Sequence, residues 1–340
     1  MLGVAMRNQG EDKPTVDLVT GATSALGRAI VKKLLARGDE VRVLVKEQPS
    51  DIGAWKSMPT GVIPYVADLT LKNSADKQVL AEAAKGVNNV FHLAAAVYNY
   101  KNTYQTLMNI NVEGTENLLN AILEANDDDN EMQFIFASSI SVYGHHRKGE
   151  ILTENSEAKP ETPYSKSKYI AEQVLRSFSF AHRNLHYTIM RIGTLYGPGY
   201  EKPSFCKVFE LIRKGEFRYV GRGENHMTLI YIDDAAEAFV LASENKNAIE
   251  KVYNLTDGQP HTQQSLMKLA AGYLHVNPPT KHISSLLARL GRRSKNINID
   301  EYDFLVSDRI ISIESIKKDL KFSPKGKMEV EGVAMIKNCF

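Results

Sequence analysis

The sequence predicts an α/β fold with a doubly wound parallel sheet and a smaller, discontinuous C-terminal substrate lobe. Three observations predict it. Short runs rich in β-branched residues alternate with longer stretches of helical spacing, as in βαβ units. A turn containing two glycines, TGATSALG, joins the first such run to the first helical stretch. The alternation ends near residue 191, where loops rich in glycine and proline begin. Together they indicate a Rossmann-type sheet followed by a second unit.

The first half of the chain supplies the predicted sheet. Helical stretches such as YQTLMNINVEGTENLLNAILEAN have apolar residues three and four apart, which favours helices that pack on the sheet. Right-handed crossovers would place the carboxyl ends of all the strands, and any ligand, at one edge. The runs that predict strands are TVDLVT, EVRVLV, GVIPYV, NNVFHL, MQFIFAS and HYTIMRI.

The second half predicts a lobe made of two separate segments. Two glycine-containing loops, YGPGYEKPS and GRGENH, precede LIYIDDAAEAFVLA and KVYNLTDGQP, both of which favour a return to the main sheet. We therefore expect a substrate cleft between the main domain and the lobe. The predicted parts are a flexible tail over 1–14, a main domain over 15–192 plus 228–258, and a substrate lobe over 193–227 plus 259–340.

Composition excludes several classes of function. The 340 residues carry 42 basic and 40 acidic side chains, a net charge of +2, so there is no electrostatic basis for nucleic-acid binding. No apolar run approaches the roughly 18 residues of a membrane span. Cys206 and Cys339 lie far apart and fit no metal or redox spacing, which favours two reduced thiols in a cytoplasmic protein. We predict cytoplasmic localisation and no metal site.

The glycine turn predicts a dinucleotide site in the main domain. A helix N-terminus offers unpaired N–H groups and a partial positive charge to a pyrophosphate. Gly21 would permit the tight turn, and Gly27 would let the helix pack closely. Ser24 stands where a central glycine usually lets the backbone approach the phosphate. Because serine is small and can donate a hydrogen bond, we expect the turn to bind the cofactor.

The ends of the next strands bear on the choice of cofactor. An acidic residue at the end of the second strand accepts a hydrogen bond from the NAD ribose, whereas a cation suits the 2′-phosphate of NADP. Lys46 stands at that strand end, which favours NADP(H) with NAD(H) as the alternative; a plain surface charge also stays open for Lys46. Asp68 follows the third strand and could reach the adenine. Small residues in HLAAA would let a cofactor lie against the sheet, and His92 is expected to pack at the strand end.

The fifth strand and the helix after it carry the predicted chemistry. Ser139 and Ser141 lie at the end of the strand, and Tyr164 and Lys168 lie four residues apart, on one face of a helix. A phenol with a pKa near ~10 is a poor acid or base at neutral pH, and a nearby ammonium group favours the phenolate. With a serine hydroxyl to hold an oxygen atom, these groups suit hydride transfer at a carbonyl or alcohol carbon.

The chain resembles an extended short-chain dehydrogenase/reductase of the NAD-dependent epimerase/dehydratase superfamily over roughly residues 15–325. The resemblance implies that Ser139 is the catalytic serine, that Tyr164 is the acid/base, and that Lys168 also binds the nicotinamide ribose. Asn111 matches an asparagine that supports the site. The motifs that support the resemblance are TGATSALG, ADLT, FHLAAA, NVEGTENLL, SSISVYG, YSKSK, RIGTLYGPG, IYIDDAAEAFVLA and ISIESIKKDLKFSP. The implied cofactor contacts are Gly21, Thr23, Ser24, Ala25, Leu26, Gly27, Lys46, Asp68, Leu69, Leu93, Ala94, Ala95, Tyr164, Lys168, Ile192 and Thr194.

Departures from the family's pattern separate its branches. Sugar dehydratases of this family carry threonine, aspartate and glutamate where this chain has Ser139, Ile140 and Ser141, so the acid and base of water elimination are missing. The chain resembles more closely the dihydroflavonol reductase and 3β-hydroxysteroid dehydrogenase-like branch, whose substrates are apolar alcohols and ketones.

Two further positions separate this chain from nucleotide-sugar epimerases. Those enzymes usually carry an asparagine where this chain has Gly193 and Thr194, and an arginine for the sugar-nucleotide diphosphate where it has Met227. Packing is an alternative role for Met227. The predicted substrate contacts are Ser139, Ser141, Tyr164 and Met227.

Three hypotheses stay open at this point. The first is an oxidoreductase that prefers NADP(H) and acts on a small apolar alcohol or ketone. The second is a sugar epimerase with tightly bound NAD, and the third is a non-catalytic dinucleotide sensor. The resemblance also implies a homodimer. The basic stretch over 282–296 favours a helix of the lobe, with weak contact to a membrane surface as the alternative.

Overall fold

A computed structural model describes the chain apart from a few segments. The described residues are 14–51, 53–97, 103–144, 146–200, 203–284, 287–288 and 306–340. Residues 1–13 of the predicted tail and most of the basic stretch at 282–296 lie outside them. In the described part, no helix has the length and apolar character that crossing a membrane requires.

The elements alternate along the chain as the sequence predicts. The strands are β1 (Val16–Thr20), β2 (Glu40–Val45), β3 (Ile63–Val66), β4 (Asn89–His92), β5 (Met132–Ser139), β6 (His146–Leu152), β7 (Leu185–Ile192), β8 (Thr194–Tyr196), β9 (Arg218–Val220), β10 (His226–Met227), β11 (Leu229–Tyr231), β12 (Lys251–Leu255), β13 (His261–Thr262), β14 (Lys281–Ile283) and β15 (Asp308–Ile311). The α-helices are α1 (Ala25–Arg37), α2 (Ser74–Ala84), α3 (Tyr104–Met108), α4 (Gly114–Ala125), α5 (Pro163–Ala181), α6 (Pro203–Arg213), α7 (Ile232–Glu244), α8 (Gln263–Tyr273), α9 (Glu314–Leu320) and α10 (Val333–Lys337). Short 3₁₀ turns cover Pro49–Asp51, Gly53–Ser57, Ile140–Tyr143 and Lys246–Ala248, and π turns cover Asn109–Glu113 and Met328–Gly332.

Seven parallel strands form the central sheet, in the order β12-β7-β5-β4-β1-β2-β3. The expected Rossmann-type sheet is therefore confirmed, because all six predicted strands occur in it. KVYNLTDGQP supplies the seventh strand, β12, as expected. The other predicted return differs: β11 pairs with β8 in a separate two-stranded sheet, and the helix after it, α7, packs on α1.

Both faces of the sheet are covered, because neighbouring strand residues point to opposite sides. In β1, Leu18 belongs to the cluster of buried residues that includes α2 and α4, whereas Val19 belongs to the cluster that includes α1 and α7. In β5, Phe134 belongs to the cluster with α2 and α4, and Ile135 belongs to the cluster with α1 and α7. This burial on both sides explains why the strands read as nearly continuous apolar runs.

The strand register brings the carboxyl ends to a common edge. Thr20 of β1 is level with His92 of β4, and Ser139 of β5 is level with Ile192 of β7. The chain runs from β1 to β2 on one side and from β4 to β5 on the other, so the strand order reverses between β1 and β4. Ligands bind at such a reversal in open α/β sheets.

A third cluster of buried residues lies in the segments predicted as the lobe, and it corrects one expectation. It includes residues of α6, α8 and α10. Cys206 of α6 and Cys339, which follows α10, form a disulfide with their Cα atoms 5.2 Å apart. The interpretation of two reduced thiols was therefore wrong. The two cysteines are 133 residues apart in the chain, and only the packing of α6 near the C-terminal helix makes them neighbours. The division into domains and lobe stays a prediction.

Candidate active site

The glycine turn after β1 has the tight geometry that its sequence predicts. Gly21 has φ +68°, and a Cβ there would lie 2.7 Å from the backbone nitrogen of Ala94. A Cβ on Gly27 would lie 2.4 Å from the carbonyl oxygen of Gly21. The first glycine thus lets the turn contact the loop after β4, and the second lets α1 pack against the turn. Both fix the N-terminus of α1 at the point where the strand order reverses.

Ser24 is the N-cap of α1 and is exposed. Its Oγ accepts a hydrogen bond of 3.0 Å from the backbone N–H of Gly27. The N–H groups of Ala25 and Leu26 lie in the first turn of the helix, where helix geometry provides no acceptor. Among the described residues, no backbone carbonyl outside the helix accepts from either group. Two open donors at the positive end of a 13-residue helix fit a pyrophosphate. Thr23 precedes this cap, and its carbonyl accepts a hydrogen bond from Arg28.

A carboxylate lies beside Lys46, the lysine predicted to suit the 2′-phosphate of NADP. Lys46 Nζ is 3.2 Å from Asp68 Oδ2, and Lys72 Nζ is 3.4 Å from the same atom. The backbone N–H and hydroxyl of Thr70 both donate to Asp68 Oδ1. Burial would raise the pKa of Asp68, but the hydrogen bonds from Thr70 and Lys46 lower it to about 2. Asp68 is therefore charged, and next to it Leu69 is buried.

The loop after β4 is held by side chains from neighbouring elements. Leu93, Ala94 and Ala95 are half-buried, and Thr20 Oγ1 accepts a hydrogen bond from the backbone N–H of Ala94. His92 is fully buried between the hydroxyls of Thr20 and Thr115, and burial, with the charge of a nearby lysine, lowers its pKa to about 3. His92 is a neutral packing residue, as predicted.

Asn111 joins this loop to α5. It lies in the π turn between α3 and α4 and is 1% exposed. Its amide accepts a hydrogen bond of 2.7 Å from the backbone N–H of Ala96 and donates to the Ala96 carbonyl. It also donates, over 2.9 Å, to Ser167, whose hydroxyl donates to the carbonyl of Tyr164. Asn111 therefore links the loop after β4 with the first turns of α5.

Helix α5 carries Tyr164 and Lys168. It starts at Pro163 with a capping box, in which Thr162 accepts from the N–H of Ser165 and Ser165 accepts from the N–H of Thr162. Tyr164 is half-buried near this end. One turn later, Lys168 is 2% exposed and its Nζ lies 4.3 Å from the centroid of the Phe136 ring. Burial lowers the pKa of Lys168 to about 7, and the Glu172 carboxylate opposes this shift.

The serines at the end of β5 bond to each other. Ser141 donates from its hydroxyl to Ser139 Oγ over 2.9 Å, and its backbone N–H donates to the same atom. Both residues are half-buried, while Ile140 between them is buried. Ser139 thus stands at the carboxyl edge, level with Ile192 of β7.

A set of buried polar residues escaped the sequence analysis. Glu172 accepts hydrogen bonds from Arg191 and from Ser138. Arg191 also donates to the hydroxyl of Tyr143, which donates to Asn254 of β12. Glu172 follows Lys168 by four positions, so helix periodicity could have placed it on the same face. Nothing in the sequence pairs it with Arg191.

Two further predicted site residues, Thr194 and Met227, lie on short strands outside the central sheet. Thr194 is in β8, and its N–H donates to the carbonyl of Thr228. Met227 lies in β10 and is 3% exposed, which agrees with a packing role. Gly21, Lys46, Asp68, Leu93 and Ser139 follow or end parallel strands of one sheet, so the fold brings these positions to one edge. Their roles in binding and catalysis stay predictions.

Comparison with known proteins identifies the family of this chain. Residues 18–256 match the NAD dependent epimerase/dehydratase family. The chain belongs to this family. The expected extended short-chain dehydrogenase/reductase is thereby confirmed, and the family supports an NAD-dependent enzyme. The type of reaction is a separate matter, because the family's name itself covers more than one.

Relatives within the family carry different activities in their names. The N-acetyl-alpha-D-glucosaminyl-diphospho-ditrans,octacis-undecaprenol 4-epimerase of Escherichia coli O157:H7 is 30% identical over 217 residues, which cover 64% of this chain and 63% of that protein. This chain therefore spans less than two-thirds of that relative. The decarboxylating sterol-4-alpha-carboxylate 3-dehydrogenase of Dictyostelium discoideum is 27% identical over 247 residues, 71% of each protein.

A solved structure agrees in fold. The UDP-glucose 4-epimerase of Thermotoga maritima, crystallised with UDP-glucose, superimposes with a TM-score of 0.75 at 24% identity and covers 96% of this chain and 98% of that one. At this level of identity the similarity supports the fold alone.

Proposed function

We propose that the protein is an NAD(P)-dependent oxidoreductase that transfers a hydride between the nicotinamide and a carbonyl or alcohol carbon of a small apolar substrate. The observation that carries the proposal is the buried ammonium of Lys168, one helical turn after Tyr164 and 4.3 Å from the Phe136 ring. A cation near a phenol favours the phenolate, and this would make Tyr164 a usable acid and base near neutral pH.

Each residue of the site has a proposed task. Tyr164 moves a proton to or from the substrate oxygen at its Oη, and Lys168 stabilises the phenolate form. The hydroxyl of Ser139 holds the same substrate oxygen. Asn111 keeps the first turns of α5 in register with the loop after β4 through its bonds to Ala96 and Ser167. The nicotinamide, when bound, supplies or accepts the hydride.

The chain's own residues would hold the cofactor along the carboxyl edge. The open N–H groups of Ala25 and Leu26 would bind the pyrophosphate, with the hydroxyl of Ser24 nearby. The small side chains of Ala94 and Ala95 would let the cofactor lie against the sheet. Lys46 supports a preference for NADP(H), although Asp68 beside it offsets part of its charge.

The residues around the serines support redox chemistry without elimination. A dehydratase needs an acid and a base next to the serine position. Ile140 and Ser141 carry no carboxyl group, so neither can supply this acid or base. The buried apolar side chain of Met227, in place of an arginine, supports a substrate without a diphosphate.

The alternative is a sugar epimerase that oxidises and re-reduces its substrate with one bound NAD. The 4-epimerase name of the Escherichia coli relative supports this alternative. The two reactions differ in their balance of cofactor. An epimerase shows no net change in the absorbance of the nicotinamide, whereas a reductase consumes NADPH in proportion to the ketone reduced.

The test is turnover of NADPH with a panel of ketones, in the wild type and in Tyr164→Phe. We expect net oxidation of NADPH by the wild type. We expect Tyr164→Phe to lower kcat by roughly 10²–10⁴-fold, because the proton donor is lost. The dissociation constant of NADPH should be unchanged in that variant. Tyr273→Phe, in α8, is the matched control and should keep full activity.

Three outcomes would contradict the proposal. Full activity of Tyr164→Phe would exclude Tyr164 as the acid/base. Interconversion of a nucleotide sugar without net oxidation of NADPH would favour the epimerase. Cofactor binding without either reaction would favour a non-catalytic dinucleotide sensor.

A further inference from the structure

Three charged side chains are buried together next to the proposed acid/base. Lys168, Glu172 and Arg191 are 2%, 0% and 4% exposed. Arg191 binds Glu172 with two hydrogen bonds, from Nε over 3.0 Å and from Nη2 over 2.7 Å. Lys168 and Glu172 lie four residues apart on α5 and therefore share one face of the helix. Two cations thus lie near one buried carboxylate.

We propose that Glu172 is a positioning residue that keeps Lys168 protonated, and thereby keeps Tyr164 usable as an acid and base at neutral pH. This inference rests on the proposed function. It assigns a task to a residue that does not contact the substrate or the cofactor. Glu172 acts through Lys168, and Arg191 and Ser138 hold Glu172 in place.

The surroundings of Lys168 leave Glu172 as its main counter-charge. Burial disfavours a charged ammonium, so Lys168 needs a nearby anion to stay protonated. On β4, His92 faces the same ring, Phe136, but is neutral because burial keeps its pKa at about 3. On β7, Arg191 is a cation and cannot help. Among the described residues, the group whose charge raises the pKa of Lys168 is Glu172.

The hydrogen bonds of Glu172 explain why it can hold a negative charge in the interior. A buried carboxylate needs donors that replace water, and Arg191 supplies two while Ser138 supplies a third. Arg191 is fixed in turn by Tyr143, whose hydroxyl accepts a bond of 3.0 Å from Nη1 and whose ring lies 4.9 Å from the guanidinium carbon. The carboxylate is therefore held in one position relative to Lys168.

The experiment compares pH profiles of alcohol oxidation by NADP⁺ in the wild type, Glu172→Gln and Glu172→Asp. Without the carboxylate, Lys168 loses its proton more readily and favours the phenolate of Tyr164 less. We expect the acid limb of kcat to move to higher pH by about one unit in Glu172→Gln, a loss of about tenfold at neutral pH that recovers at high pH. Glu172→Asp keeps the charge and should stay closer to the wild type.

A second variant guards against a failure to fold. Glu172→Gln leaves Arg191 buried without its partner, which can be strongly destabilising, whereas removing both members of a buried pair is often tolerated. The double variant Glu172→Gln/Arg191→Met should therefore fold. Its acid limb should move in the same direction but by less, because loss of the Arg191 cation offsets part of the loss of the carboxylate. A fall of kcat by one factor at every pH, with no shift, would mean that Glu172 is only structural and would overturn the proposal.

A third measurement is independent of activity. The near-ultraviolet absorbance of phenolate is titrated in each glutamate variant and in its Tyr164→Phe counterpart, and the difference isolates Tyr164. We expect this titration to move to higher pH without the carboxylate. If the wild type shows no turnover but the titration moves, the proposed function fails and the role of Glu172 stands. If turnover is present and the titration does not move, the role of Glu172 fails alone.

Discussion

Ser24 illustrates how one side chain can serve both the helix and the ligand. Its Oγ accepts a hydrogen bond from the N–H of Gly27 and so caps α1, and its hydroxyl proton can still be donated to a ligand. Glycine at an N-cap costs only a few tenths of a kcal/mol relative to serine, whereas an apolar residue loses about 1 kcal/mol. Folding and cofactor binding can therefore be separated at this position.

We expect Ser24→Leu to weaken NADPH binding severely and to lower stability by about 1 kcal/mol, because its side chain would occupy the approach to Ala25 and Leu26 and remove the cap. Ser24→Gly should be mild in both respects and is the control. Dissociation constants for NADPH and thermal midpoints of the two variants measure the effects on cofactor binding and on stability. Unchanged affinity in Ser24→Leu would mean that this turn does not bind the dinucleotide.

Lys46 is the residue on which the choice of cofactor depends. Its side chain is 61% exposed and pairs with Asp68, so it is free to turn toward a 2′-phosphate at the cost of a weak ion pair. We expect the wild type to bind NADPH more tightly than NADH, and Lys46→Ala to lose most of that preference, about tenfold or more. Lys72→Ala, which removes the other cation on Asp68, is the control. Equal affinities of the wild type for both cofactors would reduce Lys46 to a surface charge.

Among the elements, α1 depends on a buried ion pair at its C-terminal end. Arg37 lies 3.1 Å from Asp17 of β1 and also pairs with Asp39 at the start of the next strand, and both carboxylates are buried. Earlier in the same helix, Lys33 pairs with Glu237 of α7, where both side chains are partly exposed. Arg37 therefore pairs with buried carboxylates and Lys33 with a partly exposed one, and removal of each cation compares the effect of burial on ion pairs.

We expect Arg37→Met to lower the free energy of unfolding by up to about 3–5 kcal/mol, because it leaves two buried carboxylates without their cation. The loss should be larger at alkaline pH, since burial raises the pKa of Asp17 to about 7 and protonation below that pH removes its charge. Lys33→Met should cost less than about 1 kcal/mol, since solvent screens an exposed pair. Denaturant unfolding of both variants measures the difference. Equal losses would show that burial does not set the strength of these ion pairs.

On the scale of the whole molecule, the disulfide joins two distant parts of the chain. Cys206 and Cys339 are separated by 133 residues, so the bond closes a long loop and restricts the unfolded chain. For a loop of this length, the chain-entropy model gives about 5 kcal/mol, and measured effects are typically about 2–4 kcal/mol. The bond holds α6 to the C-terminal end, next to the loops predicted to select the substrate.

We expect Cys339→Ser to unfold at a lower temperature than the wild type under non-reducing conditions. A reducing agent should lower the thermal midpoint of the wild type to about that of the variant. The variant itself should be insensitive to the reducing agent, which makes it its own control. A titration of free thiols in the denatured, unreduced wild type should find none. Two free thiols would show that the chain does not form this bond.

The local pattern of the sequence was sufficient for the sheet and for the parts of the site that lie at strand ends or on one helix face. All seven strands could be recognised: six from short runs rich in apolar and β-branched residues, which parallel strands need, and β12 from the expected return of KVYNLTDGQP to the sheet. Tyr164 and Lys168 could be proposed as site residues because a spacing of four residues is visible in the sequence, and Ser139 because it lies at a strand end and matches the family's serine.

Contacts between distant segments were decided by the tertiary structure alone. The pairing of Glu172 with Arg191 joins a helix to a strand, and Lys46 meets Asp68 only because β2 and β3 run side by side. The bond between Cys206 and Cys339 depends in the same way on the packing of α6 near the C-terminal end. A sequence pattern indicates which face of an element is apolar, but it does not indicate which elements pack together in one core. The charged side chains and thiols that become neighbours are determined by that packing.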